Sequence, residues 1–355
     1  MSNTAEAATG VTGPPPGGQT AGGNGVLRTL RRGAGVFLRQ REATVLVVVV
    51  ALFLYFTIDS SNFLTHANQA NLLSGIAAPY IILATAEVLL LICGEIDLSV
   101  GFVFTLAPFL MFFLIAYDGV PVILAIIITL IFGLVVGAIN AFLTVTLGLP
   151  SFIATLGTSF ILYGVVLTTS HGEPATLPAS TEHIGKFFGN ETTSAWGWSA
   201  IIWAVLIVFI FHVVLTRTRW GLHTVAVGGN QLGAREAGIS VARIKYGNFM
   251  MTGMLGALVG LQVAFYDNTI DPSAGGYQYM FYAVAAAVLG GTALLGGEGS
   301  IIGAGLGALV LAVFIDGFAI IGVNANPLNI VFGAGVVVAM IANVQLGRLR
   351  EAGRT

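Results

Sequence analysis

WSAIIWAVLIVFIFHVVL (residues 198–215) runs directly into TRTRWGLHTVAVGGNQLGAREAGISVARIK (residues 216–245), which runs into YGNFMMTGMLGALVGLQVAFY (residues 246–266). The outer two stretches are apolar, and about 20 apolar residues suffice to cross a bilayer as a helix. The stretch between them carries Arg217, Arg219, Arg235, Arg243 and Lys245. Short loops rich in Lys and Arg stay on the cytoplasmic side of a membrane. The three stretches together predict two membrane spans joined by a cytoplasmic loop, and this loop orients the rest of the chain.

The whole chain has 14 Lys and Arg residues. Arg28, Arg31, Arg32, Arg39 and Arg41 lie before the first apolar run, Arg348, Arg350 and Arg354 after the last, and only Lys186 falls elsewhere. Both termini and the 216–245 loop are therefore expected to be cytoplasmic. Apolar runs near 43–58, 71–93, 98–116, 119–147, 151–170 and 198–215 precede the loop. Runs near 246–266, 279–295, 299–322 and 327–345 follow it. Six spans before the loop and four after are both even, as a cytoplasmic start, middle and end require. The expected fold is thus an all-α polytopic membrane protein of about 10 transmembrane helices.

Composition agrees. Of the 355 residues 56% are hydrophobic and 8% charged, where soluble domains carry roughly 25% charged residues. An ordinary cytosolic enzyme, a nucleic-acid binder and a disordered chain are excluded on that ground, and membrane lipid is the expected surrounding. Cys93 is the single cysteine, so neither a disulfide framework nor a thiolate metal site is expected. Residues 1–42 read as a flexible Gly/Pro/Arg-rich cytoplasmic tail, 43–345 as the transmembrane domain and 346–355 as a cytoplasmic C-terminal tail. The sizeable external segment is 171–197. Its His171 and His183 stand too far apart, in a polar loop, to suggest a metal site.

Several polar residues interrupt the apolar runs. Glu87 lies in ATAEVLLL (residues 84–91), where a helix-centre carboxylate costs about 2.5–3.5 kcal/mol on insertion scales. Asp316, in VFIDG (residues 313–317), raises the same question. GEIDLSVG (residues 94–101) sets Glu95 and Asp97 two apart between glycines. Residues at i and i+2 do not share a helix face, so the two need not act together. Asp97 suits an N-cap, accepting from the amide of Ser99 or Val100. The segment is either a capped cytoplasmic turn or a helix break lining a passage. Asn140, Thr155, Thr158, Ser159, Asn248, Thr252, Gln262 and Asn329 can exchange hydrogen bonds with a neutral polar solute, or stitch helices together. Gly133/Gly137, Gly256/Gly260 and Gly303/Gly307 have the spacing of close helix contacts. GGTALLGGEGS (residues 290–300) makes a poor continuous helix, and a tight reversal or broken helix is expected there. No convincing internal repeat links residues 43–215 with 246–345.

Within the loop, residues 231–237 predict a short helix ended by Gly238. The loop resembles the cytoplasmic loop of bacterial ABC-importer permeases of the ribose/xylose/arabinose class, whose pattern is roughly G-x-N-x-x-A-A-R-x-S-G-I-x-V followed by a basic residue. Gly228, Asn230, Ala234, Arg235, Gly238, Ile239, Val241 and Lys245 match it. IDLSVG (residues 96–101), PSFIATLGT (residues 150–158) and the glycine run 290–300 are similar to further stretches of that family, in family order. The resemblance covers about residues 65–345. Glu95 departs from it by replacing a glycine, and Asp316 by replacing an amide.

The resemblance implies a multi-pass permease subunit of the bacterial plasma (inner) membrane that carries a monosaccharide or related polyol. It implies a second permease subunit, two ATP-binding subunits that hold ATP and Mg, and an external sugar-binding protein. The chain itself has no GxxxxGK[ST] loop, so it is expected to be no enzyme and to bind no cofactor or metal of its own. The loop residues Gly228, Asn230, Ala234, Arg235, Glu236, Gly238 and Ile239 are the expected coupling contacts to the ATPase. Glu87, Glu95, Asp97, Ser99, Asn140, Thr155, Thr158 and Asp316 are the pathway candidates. A branched-chain amino-acid permease is the related alternative, and an ion-coupled secondary transporter is the distant one. A membrane-embedded enzyme finds no catalytic cluster, since His66, His171, His183 and His223 lie in loops or interfaces without HExxH-like spacing.

Overall fold

The computed structural model describes residues 41–189 and 198–323, together with 330, 333, 334, 337 and 341. The tail readings over 1–40 and 346–355 lie outside the described residues, as does most of the last apolar run, 327–345. Helices dominate. α1 is Arg41–Asp59, α2 runs from His66 to Ile92, α3 is Val100–Ala116, α4 runs from Val122 to Thr146 and α5 is Ser151–Ser170. Across the connection follow β1 (Ala175–Thr176), α6 (Glu182–Phe188) and α7 (Ser199–Arg217). The basic loop folds into α8 (Arg219–Gly229) and α9 (Gln231–Glu236). Then come α10 (Val241–Asp267), β2 (Thr269–Ile270), α11 (Gly276–Leu289) and α12 (Ile301–Ile320). Nine of the ten expected spans thus coincide with helices. Seven of these helices are long and apolar enough to cross a membrane, α3 and α11 being the shorter ones. The chain is a multi-pass, helical membrane protein.

Burial orders the helices. In α2 89% of the apolar window is buried, against 11% in α1. A helix apolar all round belongs at a centre, and α2 takes that place. α10 and α12 pack on it, while α1, α5 and α7 present Val47, Ile58, Phe160, Ile161, Ile202 and Phe209 outward. The small-residue pairs fix which helices meet. A methyl at Gly133 or Gly137 of α4 would overlap the Gly253 or Phe249 carbonyl of α10. A methyl at Gly260 would overlap Phe104 of α3, and at Gly307 the Ala286 carbonyl of α11. Close backbone approach supplies the association that lipid does not. Polar stitches add to it. Asn248 donates to the Leu89 carbonyl at 3.1 Å and to Cys93 Sγ at 3.0 Å, and Thr252 donates to the Ala86 carbonyl at 3.0 Å. The register, 248 opposite 89 and 252 opposite 86, shows that α2 and α10 run antiparallel.

Two expectations are corrected and one open alternative is decided. The run 98–116 becomes helical only at Val100, and 279–295 is helical only over Gly276–Leu289, because Gly290 and Gly291 end it. Of the two readings of residues 94–101, the helix break holds and the surface turn does not, since Asp97 and Ser99 are fully buried and Val100 lies against Gly256 near the middle of α10. Finally, the chain does repeat. α2, a break over 93–99, α3 and α4 recur in opposite orientation as α10, a break over 268–275, α11 and α12. α2 and α10 each have 27 residues. α10 packs along α3 and α4, and α2 packs along α11 and α12.

Candidate functional site

The break between α2 and α3 gathers most of the pathway candidates. Asp97 Oδ1 accepts from the Ser99 amide at 2.8 Å and the Ser99 hydroxyl at 2.6 Å. Ser99 stands at the N-cap position of α3 without a side-chain capping bond, and the Asp97 carboxylate accepts the Ser99 amide as the sequence leads one to expect. Asn140 of α4 donates to both Asp97 oxygens at 3.2 Å and to Ser99 Oγ at 2.7 Å. α5 lends two hydroxyls. Thr155 accepts from the Leu98 amide at 3.0 Å and Ser151 from the Ile96 amide at 3.3 Å. Glu87 of α2 accepts from the Asp97 amide at 3.5 Å. Glu87, Asp97, Ser99, Asn140 and Thr155 are all buried. Non-helical backbone at membrane depth needs such partners for its freed amides. Glu87 Oε1 and Asn140 Oδ1 have no protein partner, so this dense cluster keeps two acceptors in reserve.

Three candidates stand apart from it. Thr158 turns its hydroxyl back to the Ala154 carbonyl of its own helix, 3.1 Å away. Asp316 of α12 is held at the opposite end of the bundle by Asn68 at 2.8 Å and Asn71 at 3.3 Å. Asn71 opens a π-helical stretch, Asn71–Ala77, that widens α2 there. Glu95 does not face Asp97. It pairs with Lys245 of α10 at 2.5 Å, both side chains nearly buried at 12% and 11% exposure. The segment 182–188 is likewise separate, and there the hydrogen bond and charge of Lys186 hold the exposed Glu182 carboxyl below its usual range.

Removing one member of a nearly buried pair strands the other charge, at a cost on the order of 1–3 kcal/mol. Lys245→Met alone is therefore expected to lower the melting temperature in detergent, and Lys245→Met with Glu95→Gln to recover most of the loss. Equal losses in the single and double variants would show that the pair carries no coupling energy.

The basic loop meets this break from one side. α9 begins at Asn230, whose Oδ1 accepts from the Gly233 amide at 2.9 Å. It ends in paired reverse bonds, Ile239 to the Ala234 carbonyl at 2.9 Å and Gly238 to the Arg235 carbonyl at 3.0 Å. That closure needs a left-handed residue, and Gly238 supplies it with φ +78°. Ala234 is buried with Val227, Val241, Ile244 and Cys93, while Leu232, Arg235 and Glu236 remain exposed. A cavity of about 520 Å³ beside α9 is lined by Arg235, Ile239, Ser240, Lys245, Glu95 and Thr144 among others. Gly228 packs on the Ile92 carbonyl at the end of α2, and the Gly297 amide donates to that same carbonyl at 2.8 Å. The loop, the α2–α3 break and the glycine run 290–300 thus converge on one backbone oxygen.

Sequence reasoning missed α8, which Thr218 caps through the Gly221 amide at 3.4 Å. It also missed Ser151, whose signal was its place in PSFIATLGT.

The comparisons with known proteins identify the family. The family described as "Branched-chain amino acid transport system / permease component" matches residues 71–341. The xylose/arabinose import permease protein XylH of Sulfolobus acidocaldarius is 32% identical over 83% of this chain and 82% of its own length. The ribose import permease protein RbsC of Bacillus subtilis is 32% identical over 90% of this chain and 93% of its own. The fructose import permease protein FrcC of Rhizobium meliloti is 29% identical over 88% of each. No solved structure matches the chain. With the family match spanning α2 to the last described helical residues, the chain belongs to the family of branched-chain amino acid transport system permease components.

Proposed function

We propose that the chain is the transmembrane permease subunit of an ATP-binding-cassette importer that carries a monosaccharide or related polyol. One structural observation carries the coupling part of this reading. α9 is a short, closed helix that presents Leu232, Arg235 and Glu236 to solvent while its base is tied to the break between α2 and α3. Such a helix fits a groove on a separate ATP-binding subunit, which holds ATP and Mg. The sugar class is supported by the relatives, named for xylose/arabinose, ribose and fructose. An external sugar-binding protein delivers the solute, and two copies of the permease pair in the bacterial inner membrane. Both termini and the basic loop face the cytoplasm, as their Arg and Lys content requires.

The family description also admits a branched-chain amino acid. A zwitterion needs a cation for its carboxylate, and the buried Lys245 is already engaged by Glu95. The relatives named for xylose/arabinose, ribose and fructose favour a neutral sugar instead.

Arg235→Ala with Glu236→Ala is expected to leave the permease in the membrane at normal abundance. Sugar-stimulated ATP hydrolysis by the assembled transporter should fall by about tenfold, the size of a typical coupling free energy between sites. Unchanged hydrolysis would remove α9 as the coupling element. Stimulation by leucine and not by any pentose or hexose would favour the amino-acid reading.

A further inference from the structure

IDLSVG (residues 96–101) and IDPSAG (residues 270–275) stand at the same place in the two inverted halves. The structure builds one turn from both. Asp271 Oδ1 accepts from the Ser273 amide at 2.8 Å and the Ser273 hydroxyl at 2.6 Å. Asp97 Oδ1 accepts from the Ser99 amide and hydroxyl at the same two distances. Each turn launches a short helix, α3 in one case and α11 in the other. The two launching points touch. A methyl at Gly101 would overlap the Gly276 carbonyl, Gly275 lies against Phe104, and Thr105 of α3 donates to the Ala274 carbonyl at 2.6 Å.

The same turn has opposite surroundings. Asp97 and Ser99 are fully buried beneath Asn140 of α4, with Thr155 of α5 on the Leu98 amide. Asp271 and Ser273 are exposed. Each carboxylate already satisfies its own serine, so a turn of this kind holds its shape either covered or open. What differs is the packing laid over it. Inverted halves meeting at broken helices are the arrangement in which one half rocks against the other and opens opposite sides of a bilayer in turn.

We propose that the two turns are the two halves of one gate: Asp271 and Ser273 are positioning residues that secure the start of α11 as Asp97 and Ser99 secure the start of α3, and the transport cycle exchanges which turn is buried. In this structure the turn nearer the basic loop is sealed and its counterpart is open. Thr105, bonded across the contact, makes the two move together. This inference rests on the reading of the chain as a nucleotide-driven permease.

The test is amide hydrogen exchange on the full transporter, permease with its ATP-binding subunit, without nucleotide and with ATP plus vanadate. Residues 93–101 and 268–276 are followed, and residues 228–240 report docking of the ATP-binding subunit. The expected result is opposite change, one segment gaining protection as the other loses it, by about tenfold in rate for a coupled two-state element. Asp271→Ala, which removes the acceptor for the Ser273 amide and hydroxyl at an exposed position, should leave membrane abundance unchanged, abolish the response of 268–276 and reduce uptake. Two segments that change in the same sense, or only one that changes, would overturn the gate while leaving the permease reading intact. So would a normal response in Asp271→Ala. No response at 228–240 would overturn the docking reading, and the gate with it.

Discussion

Gly228→Ala is expected to uncouple the transporter. The added methyl meets the Ile92 carbonyl and the Gly297 amide, both of them backbone, and the carbonyl is already engaged by that amide at 2.8 Å. A flexible side chain would yield, but here the end of α2 or the glycine run has to move. Overpacking of this kind costs about 1–3 kcal/mol, and it falls where the basic loop, the α2–α3 break and the 290–300 reversal share one atom. Sugar-stimulated ATP hydrolysis and uptake should both fall by about tenfold or more, each 1.4 kcal/mol being worth a factor of ten. Gly229→Ala is the control. Nothing lies within 4 Å of the position a methyl would take there, so activity should stay within about twofold, as for surface substitutions worth under 0.5 kcal/mol. The pair is read by uptake at matched membrane abundance. Equal effects at the two positions would show that the shared carbonyl is not the link.

Asp97→Ala is the second large effect. The carboxylate satisfies the Ser99 amide, the Ser99 hydroxyl and the Asn140 side chain in a fully buried place. Stranding a buried donor costs about 1–3 kcal/mol each, so losing the acceptor for two or three of them approaches a typical domain's whole stability of about 5–15 kcal/mol. The variant should fail to accumulate, or should accumulate without transport. Asp97→Asn keeps the shape and one acceptor oxygen for the serine, and should lose about 1 kcal/mol, within the ordinary net worth of a hydrogen bond. Thermal denaturation in detergent separates the two. If alanine were tolerated as well as asparagine, the turn would not depend on its carboxylate.

Much of this is legible in the sequence. Charge placement and apolar length locate nine of the described helices, because a bilayer imposes both rules on every span. Asn230 and Gly238 bracket α9 in the sequence as they do in the structure, since cap chemistry is local. The pathway candidates divide instead by tertiary packing. Asn140 and Thr155 reach Asp97 only because α4 and α5 fold over the break, whereas Asp316 is drawn to Asn68 and Asn71 at the other end. Nothing in the spacing of Glu95 announces that Lys245, 150 residues away, is its partner. The depth of the breaks over 93–99 and 268–275 is not legible for a related reason. A span count treats every loop as reaching the surface, while here the chain turns back within the bundle and lets α3 and α11 start against each other. The inverted repeat was hidden because apolar helices diverge freely, and six residues around each break carry the likeness.

The proposed function has an ATP-binding partner drive solute through this chain. Its most direct test is uptake of labelled ribose, xylose, arabinose and fructose into proteoliposomes holding the permease and its ATP-binding subunit, with the sugar-binding protein supplied outside. Uptake of at least one sugar that requires internal ATP, and that persists when sodium and proton gradients are dissipated, is the predicted result. Uptake that proceeds without ATP and collapses with an ion gradient would contradict the account.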